Sequence, residues 1–140
     1  MPATGVSFGA LDLESSDRFV SLRRLLGVTS FGMNLILLRP GQQGRIHRHQ
    51  HQEEVYLVLE GRLTLVIEGE EHGLAFGDLA RVAPEVRRQL INRSSGRCAI
   101  LALGAAGEHR GRDGLAYSSW SDSEGRPPQE VPLPEDLPIA

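Results

Sequence analysis

Residues 41–61 read GQQGRIHRHQHQEEVYLVLEG, and this stretch carries the densest chemical signal of the chain. Three of the five histidines, His47, His49 and His51, fall within it, and Glu53 and Glu54 follow at once. Imidazole and carboxylate groups are the usual protein ligands of divalent metals such as Zn, Ni, Mn and Fe. The stretch therefore predicts a metal-binding site.

The spacing of these residues favours one set of three ligands. His47 and His49 are two positions apart, so on an extended strand both side chains project from the same face. Pro40 and the two glycines that follow it argue against a helix here. Glu54 opens a strand-like apolar run, from which its carboxylate could face the two histidines across a bend. We therefore expect His47, His49 and Glu54 to form the metal site.

The spacing alone leaves alternatives. His49 and His51 are also two positions apart, and Glu53 is adjacent to Glu54. His51 could therefore replace His47 as a ligand, and Glu53 could replace Glu54.

The same stretch resembles the first motif of the cupin family. That motif is Gly, five residues, His-x-His, three or four residues, Glu, six residues and Gly. Gly41, His47, His49, Glu54 and Gly61 fill its specified positions. The resemblance favours these residues over the alternatives, because the two glycines lie at the family's intervals.

The resemblance, which runs from about Asn34 to about Leu103, has implications for fold and function. It implies an all-β fold, a small antiparallel β-barrel of the double-stranded β-helix or jelly-roll type, with a pocket inside. In many members of the family the pocket holds a metal on two histidines, one glutamate and a third histidine. That third histidine belongs to a second motif.

The second motif is only partly present. Its family pattern is Gly, five residues, Pro-x-Gly, two residues, His, three residues and Asn, and residues 77–92 read GDLARVAPEVRRQLIN. Gly77 and Asn92 fit the two ends, but Pro84 comes one residue late and a glutamate stands at the second glycine. Arg88 stands where the histidine is expected, and arginine stays cationic and cannot ligate a metal.

Two interpretations of Arg88 follow. In the first, the register slips by one residue, so that Arg88 faces solvent and Gln89 faces the pocket as a weak oxygen ligand. In the second, Arg88 enters the pocket, where it pairs with Glu54 or binds an anionic ligand through two hydrogen bonds.

Turn signals outside the motifs support the all-β prediction. A chain of 140 residues with 40% apolar residues suits a single domain with a real core. We expect an N-terminal segment, 1–30, with a possible pairing strand, then a barrel, 31–104, and a proline-rich extended tail, 105–140. Residues 17–26 could form a strand or one short helical turn. The strands are predicted at residues 31–38, 54–59, 63–68, 72–75, 79–82, 86–92 and 98–103.

Composition excludes several classes of function. The net charge is −3 and no basic stripe occurs, which argues against a nucleic-acid partner. No apolar run approaches the roughly 20 residues of a membrane span, and no signal-peptide pattern is seen. The chain contains no lysine, which excludes Schiff-base chemistry on lysine. The single cysteine, Cys98, permits no internal disulfide and favours a cytoplasmic location.

The remaining candidate residues receive structural or assembly roles. We expect Cys98 to be a buried small hydrophobe and His72 to be solvated, and we assign no role to His109. Family members commonly pair as dimers, so we expect a homodimer in which the apolar residues of 18–26, together with Tyr117 and Trp120, are available for contact.

Two functional hypotheses remain. The first is a metal-dependent enzyme, a dioxygenase or isomerase acting on a small oxygenated molecule. The second is a metal-free module that binds a small sugar or anion, with Arg88 supplying the charge. The catalytic residues are not predicted under either hypothesis, because fold alone does not name a reaction.

Overall fold

A computed structural model describes residues 5–105 and 113–139 and shows an almost entirely β protein. His109 lies outside the described residues. The elements are β1 Phe19–Ser21, α1 Leu22–Leu26, β2 Gly32–Leu38, β3 Ile46–His49, β4 Glu53–Glu60, β5 Arg62–Ile67, β6 Glu70–Ala75, β7 Leu79–Val82, β8 Arg88–Ile91, β9 Cys98–Ala105, β10 Gly114–Tyr117 and a 3₁₀ turn, Pro128–Glu130.

The strands form two antiparallel sheets of five strands each. The first has the order β1-β2-β9-β4-β7 and the second the order β10-β3-β8-β5-β6. Strands that are distant in sequence lie side by side in each sheet, as in a jelly roll. The predicted all-β jelly-roll fold is confirmed. Across the described residues, none of the helical segments has the length and apolarity that a membrane crossing requires.

The main core fills the space between the two sheets. Leu63 and Leu65 project from β5, where their two-residue spacing places them on one face. Ile100 of β9 and Val58 of β4 meet them from the other sheet, and all four are at most 2% exposed. Apolar burial therefore holds the sheets face to face. Each Å² of apolar surface removed from water stabilises the fold by about 25 cal/mol.

Residues 17–26 form both of the elements that the sequence allowed. β1 pairs with β2, and α1 follows at once. The Ser21 hydroxyl accepts a hydrogen bond from the Arg24 amide at 3.1 Å and caps the start of the helix. Gly27, with φ of 74°, follows the last helical residue and caps its end. Leu22 packs in a second cluster, with Leu35 and Leu37 of β2.

The tail contributes to the sheet beyond the predicted barrel. β10 pairs with all four residues of β3, the strand that carries His47 and His49. Further along, the Leu137 amide donates to the Gly41 carbonyl at 2.7 Å. Arg45 Nε donates to the Val131 carbonyl at 2.6 Å. The described part of the tail therefore packs along the stretch that carries the histidine motif.

The backbone conformation and close packing at positions 41 and 61 explain why the first motif has glycine there. Gly41 has φ of 83° and Gly61 has φ of 77°, a region that favours glycine. A Cβ atom at Gly41 would overlap the Leu137 carbonyl oxygen, and one at Gly61 would overlap the Arg97 carbonyl oxygen. These glycines turn the chain before β3 and after β4, the strands that bear the histidines and Glu54.

Candidate functional site

The two sheets bring His47, His49 and Glu54 together. Both histidines lie on β3 in one sheet, and Glu54 lies on β4 in the other. Glu54 Oε1 is 3.1 Å from His49 Nε2 and 3.6 Å from His47 Nε2. One ligand-type atom from each residue lies within 4.8 Å of the other two. The extended spacing of the histidines therefore produces the cluster that it predicted.

The donor set fits a divalent metal. Bonds of about 2.1 Å in tetrahedral geometry place ligand atoms about 3.4 Å apart, close to the two distances at Glu54. His49 Nε2 is buried and has no aligned hydrogen-bond partner among the described residues. Buried nitrogen atoms of this kind are uncommon unless a ligand completes them. Two imidazoles and one carboxylate can thus hold a metal and leave coordination positions open.

The surroundings of Glu54 keep it ionised. Burial by itself would raise the pKa of Glu54, but close contact and charge interaction with His47 and His49 outweigh burial and hold the pKa well below its usual range. The Tyr56 hydroxyl also donates to Glu54 Oε1 at 2.5 Å. Burial, followed by the Glu54 charge, raises the pKa of Tyr56, so this residue remains a hydrogen-bond donor. The carboxylate is therefore available as an anionic ligand.

Arg88 points inward and joins this cluster. Its side chain is 0% exposed, and Nη2 lies 3.5 Å from Glu54 Oε1. Nη1 donates to the carbonyls of Val86 and Pro84, at 2.6 and 3.3 Å. Nε and Nη2 have no hydrogen-bond partner within the described part of the chain. A fixed positive charge thus shares the Glu54 oxygen with the two histidines.

The register of β8 explains this orientation. Arg88 is paired with His47 across β3 and β8, so the two residues are direct neighbours in the sheet. Gln89, the next residue, is buried and donates from Nε2 to the Gly44 carbonyl at 3.0 Å. The geometry corresponds to the second interpretation of Arg88, and the Gln89 amide is engaged with the backbone.

The alternative ligands, His51 and Glu53, lie outside the cluster and contact other side chains. His51 Nδ1 lies 2.7 Å from Asp113 Oδ1, and 53% of the His51 side chain is exposed. Glu53 is exposed and accepts from Arg81 Nε at 2.6 Å. Neither residue belongs to the group of three ligand atoms within the described residues. His72 is also exposed, as the sequence predicted.

Two residues that the sequence did not single out contact His49. The side-chain nitrogen Nε2 of Gln52 lies 3.1 Å from His49 Nδ1, and Asp113 Oδ2 lies 3.7 Å from the same atom. Asp113 accepts hydrogen bonds from the backbone amides of His51 and Gln52, both at 2.9 Å. Burial would raise the pKa of Asp113, but these bonds and His51 lower it overall. Groups that contact the outer nitrogen of a ligand histidine fix its ring orientation.

The contact between Asp113 and His49 could have been predicted only from the pairing of β10 with β3. It lies 64 positions after His49 in the sequence and directly precedes β10, in a stretch that matches neither motif. The register places Gly114 opposite His49, which brings Asp113 to the end of the histidine strand.

A cavity of about 280 Å³ adjoins the two histidines. Its walls come from both sheets and from the 3₁₀ turn of the tail. The lining residues are Phe19, Ile36, Leu38, Gly44, Arg45, His47, His49, Gln52, Leu90, Asp113, Gly114 and Pro128. The candidate metal site therefore opens into a pocket large enough for a small organic molecule.

Comparison with known proteins agrees with this geometry. A curated protein from Streptomyces cyaneus, polyketide synthase CurC, is 33% identical over 67 residues, which are 48% of this chain. The chain spans 44% of the length of that relative.

Two solved structures cover more of the chain. A cupin protein from Bacteroides fragilis is 25% identical, with a TM-score of 0.65 over 74% of this chain and 86% of that one. A sugar phosphate isomerase from a cupin superfamily, from Silicibacter pomeroyi, is 29% identical, with a TM-score of 0.64 over 83% of this chain and 79% of that one.

The family is decided by a match that covers half of the chain. The sequence model of the cupin domain family matches residues 34–104, which include the histidine cluster and run from within β2 to within β9. The resemblance of the two motifs is confirmed, and the chain belongs to the cupin domain family.

Proposed function

We propose that this cupin binds a divalent metal, Zn, Ni, Mn or Fe, through His47, His49 and Glu54 and acts on a small oxygenated molecule in the adjoining cavity. The observation that carries the proposal is the convergence of three ligand-type atoms within 4.8 Å at the cavity wall. The reaction class is an isomerisation or a dioxygenation. The likeness to a sugar phosphate isomerase at 29% identity supports an oxygenated substrate.

Each residue of the cluster has a distinct task. His47 and His49 supply neutral nitrogen ligands, and Glu54 supplies the negative charge. A divalent metal held there would supply Lewis-acid chemistry toward a substrate oxygen. Tyr56 holds Glu54 Oε1, while Gln52 and Asp113 fix the His49 ring. Arg88 offsets the charge of Glu54 and would compete with a metal for the same oxygen.

Metal content tests the proposal directly. Protein purified without chelators should contain about one divalent metal per chain by elemental analysis. After chelation, calorimetric titration should restore one site. A protein that retains no metal and binds Zn, Ni, Mn and Fe(II) with a Kd above 1 mM would refute the metal site.

A second candidate function rests on Arg88. Its Nε and Nη2 atoms are buried without hydrogen-bond partners among the described residues, although a buried charge ordinarily has its donors satisfied. An anionic ligand could complete them, and the protein would then be a metal-free module for a small anion or sugar. Titration of chelator-treated protein with phosphate and with glucose tests this, and binding that is lost in Arg88→Gln would support it.

We also propose that the protein is a homodimer. The N-terminal segment leaves apolar side chains exposed, Phe8 at 89% and Leu25 at 53%. Burial of such residues against a second copy would stabilise the pair. Tyr117, by contrast, is buried within the chain, where its hydroxyl accepts from Arg48. Light scattering should give twice the chain mass of 15.3 kDa, and a monomer at micromolar concentration would refute the dimer.

A reducing, cytoplasmic location is proposed from Cys98. This single cysteine is fully buried, as the sequence predicted. Burial, together with the charge of Glu60, raises the pKa of its thiol to about 12. The thiol therefore acts as a small hydrophobe and supports no disulfide.

A further inference from the structure

Arg45 directly precedes β3 and lines the cavity together with His47 and His49. The three residues are spaced two positions apart, so their side chains project from the same side of the extended chain. His47 Nδ1 lies 3.0 Å from the Arg45 carbonyl oxygen. A proton on Nδ1 would be donated to that carbonyl and would leave Nε2, the nitrogen that faces Glu54, as the metal-binding atom. The main chain of Arg45 therefore orients a candidate ligand, and its side chain adjoins the same site.

The Arg45 guanidinium is held at one nitrogen and open at the other two. Nε donates to the Val131 carbonyl at 2.6 Å, whereas Nη1 and Nη2 make no hydrogen bond or ion pair with the described residues. Four other arginines each pair with a carboxylate, namely Arg81, Arg87, Arg93 and Arg97. Parallel N–H groups of a guanidinium match the two oxygens of a carboxylate or phosphate. Arg45 thus has an unused pair of donor nitrogens at the cavity wall.

The charges around the cavity favour an anion once a metal is present. Glu54 and Asp113 are the carboxylates that lie beside His49, at 3.1 and 3.7 Å. A divalent metal, Arg45 and the neighbouring Arg88 would together carry more positive charge than these two carboxylates offset. In a partly buried site, this excess of positive charge would attract an anionic group of a ligand.

The tail holds the Arg45 side chain in this position. Val131, whose carbonyl accepts the hydrogen bond from Nε, is only 4% exposed. The 3₁₀ turn Pro128–Glu130 directly precedes it, and Pro128 forms part of the cavity wall. These residues lie beyond the segment 34–104 that matches the family model. The tail therefore completes a part of the pocket that the matched segment does not supply.

We infer that Arg45 is a specificity-determining residue, in which Nη1 and Nη2 bind a carboxylate or phosphate group of the substrate and the Val131 carbonyl positions the guanidinium. The inference rests on the proposed function, because the other oxygens of the substrate would lie at the candidate metal site. It adds the residue that selects an anionic over a neutral substrate, and it gives the tail a role in that selection.

A matched ligand series tests the selection. Sorbitol, gluconate and sorbitol 6-phosphate share a six-carbon polyol chain and differ at one end, which carries an alcohol, a carboxylate or a phosphate. Calorimetry with the Zn-loaded protein should show at least one of the two anions binding at least tenfold tighter than sorbitol. The anion that binds more tightly identifies the group that Arg45 accepts.

Variants of Arg45 locate the contact. Arg45→Gln should weaken binding of the preferred anion at least tenfold and change sorbitol binding less than twofold. Arg45→Lys keeps the charge but loses the paired N–H groups, so its loss of affinity should be intermediate. Arg62 is exposed and does not line the cavity, so Arg62→Gln should leave anion binding unchanged. The Zn affinity of all three variants should stay within threefold of the parent.

Two tail variants test how Arg45 is positioned. Val131 is buried, whereas Leu133 is 37% exposed in the same segment. Val131→Asn should disturb the tail where it holds Arg45 and weaken anion binding at least fivefold, with Zn and sorbitol affinities unchanged. Leu133→Asn should change none of these affinities. A loss in Val131→Asn no larger than in Leu133→Asn would overturn the role of the tail.

The outcomes separate this inference from the proposed function. Anions that bind less than tenfold tighter than sorbitol would overturn the inference even in a protein that binds metal. Equal effects of Arg45→Gln and Arg62→Gln would overturn it as well, as would a loss of anion binding in Arg88→Gln that Arg45→Gln does not share. If no metal binds, the proposed function fails, while an anion preference that depends on Arg45 in chelator-treated protein would still support the contact.

Discussion

Arg87 and Arg88 are adjacent in the sequence and have opposite environments. Arg87 is partly exposed, and each nitrogen of its guanidinium has a partner. Nε and Nη2 lie 3.0 Å from Glu68 Oε1, and Nη1 donates to the carbonyls of Trp120 and Asp122. Its guanidinium also lies over the rings of Tyr117 and Trp120, at 5.4 and 5.8 Å.

Arg88 is fully buried, yet it is less well satisfied. Two of its nitrogens lack hydrogen-bond partners among the described residues, and its carboxylate neighbour, Glu54, is shared with two histidines and a tyrosine. Surface ion pairs contribute little to stability, whereas a buried charge without full compensation is expensive. The comparison indicates that Arg87 fastens the tail to the sheet, while Arg88 belongs to the site.

Removal of the Glu54 carboxylate, which lies beside the buried Arg88, should cause the largest loss of stability. Glu54→Gln leaves Arg88 buried without a counter-charge, and we expect the free energy of unfolding of metal-free protein to fall by about 3 kcal/mol. The matched outer variant, Glu68→Gln, should cost less than about 1 kcal/mol. Denaturant unfolding measures both, and equal losses would show that the two pairs do not differ.

Of the three histidines in the first motif, only His47 and His49 should matter for metal binding. His49→Ala should lower metal affinity at least a hundredfold, about 2.7 kcal/mol, because it removes one of three ligands. His51→Ala should change affinity less than twofold, since His51 lies against Asp113 and is half exposed. Isothermal calorimetry distinguishes them, and a similar loss in both variants would mean that His51 is a ligand.

Exchange of the inner arginine should strengthen the metal site. Arg88→His removes a fixed positive charge and supplies the family's fourth ligand, so affinity for Zn, Ni or Mn should rise at least tenfold, about 1.4 kcal/mol. Arg87→His, at the outer position, should leave affinity unchanged. An affinity that does not rise in Arg88→His would show that Arg88 does not oppose metal binding.

The Arg87–Glu68 ion pair should make the smallest contribution to stability, and that contribution should depend on pH. Burial would raise the pKa of Glu68, but hydrogen bonds from the Arg87 amide and guanidinium, together with its charge, lower the pKa overall. The stabilisation is therefore present above the unfolded value of about 4.3 and is lost as the pH falls through the folded pKa. The stability difference between parent and Glu68→Gln should shrink below about pH 4.3 in thermal unfolding, and a constant difference down to pH 3 would contradict it.

The first motif could be predicted from the sequence because its geometry is local. Two residues of separation on a strand place His47 and His49 on one face, whatever the neighbouring strands are. Gly41 and Gly61 mark turns through their own positive φ angles. The strands predicted from alternating apolar runs likewise appear close to their expected bounds, because strand burial follows the two-residue period.

Only the tertiary structure decided which arginine enters the site and what orients His49. Arg87 and Arg88 are chemically identical, and a shift of one residue in β8 would exchange their faces. That register is fixed by hydrogen bonds to β3 and β5, which are distant in sequence. Asp113 reaches His49 only because β10 pairs with β3. The sequence by itself determined the ligand types and their local spacing, whereas strand pairing over long sequence separations decided which other charges share the pocket.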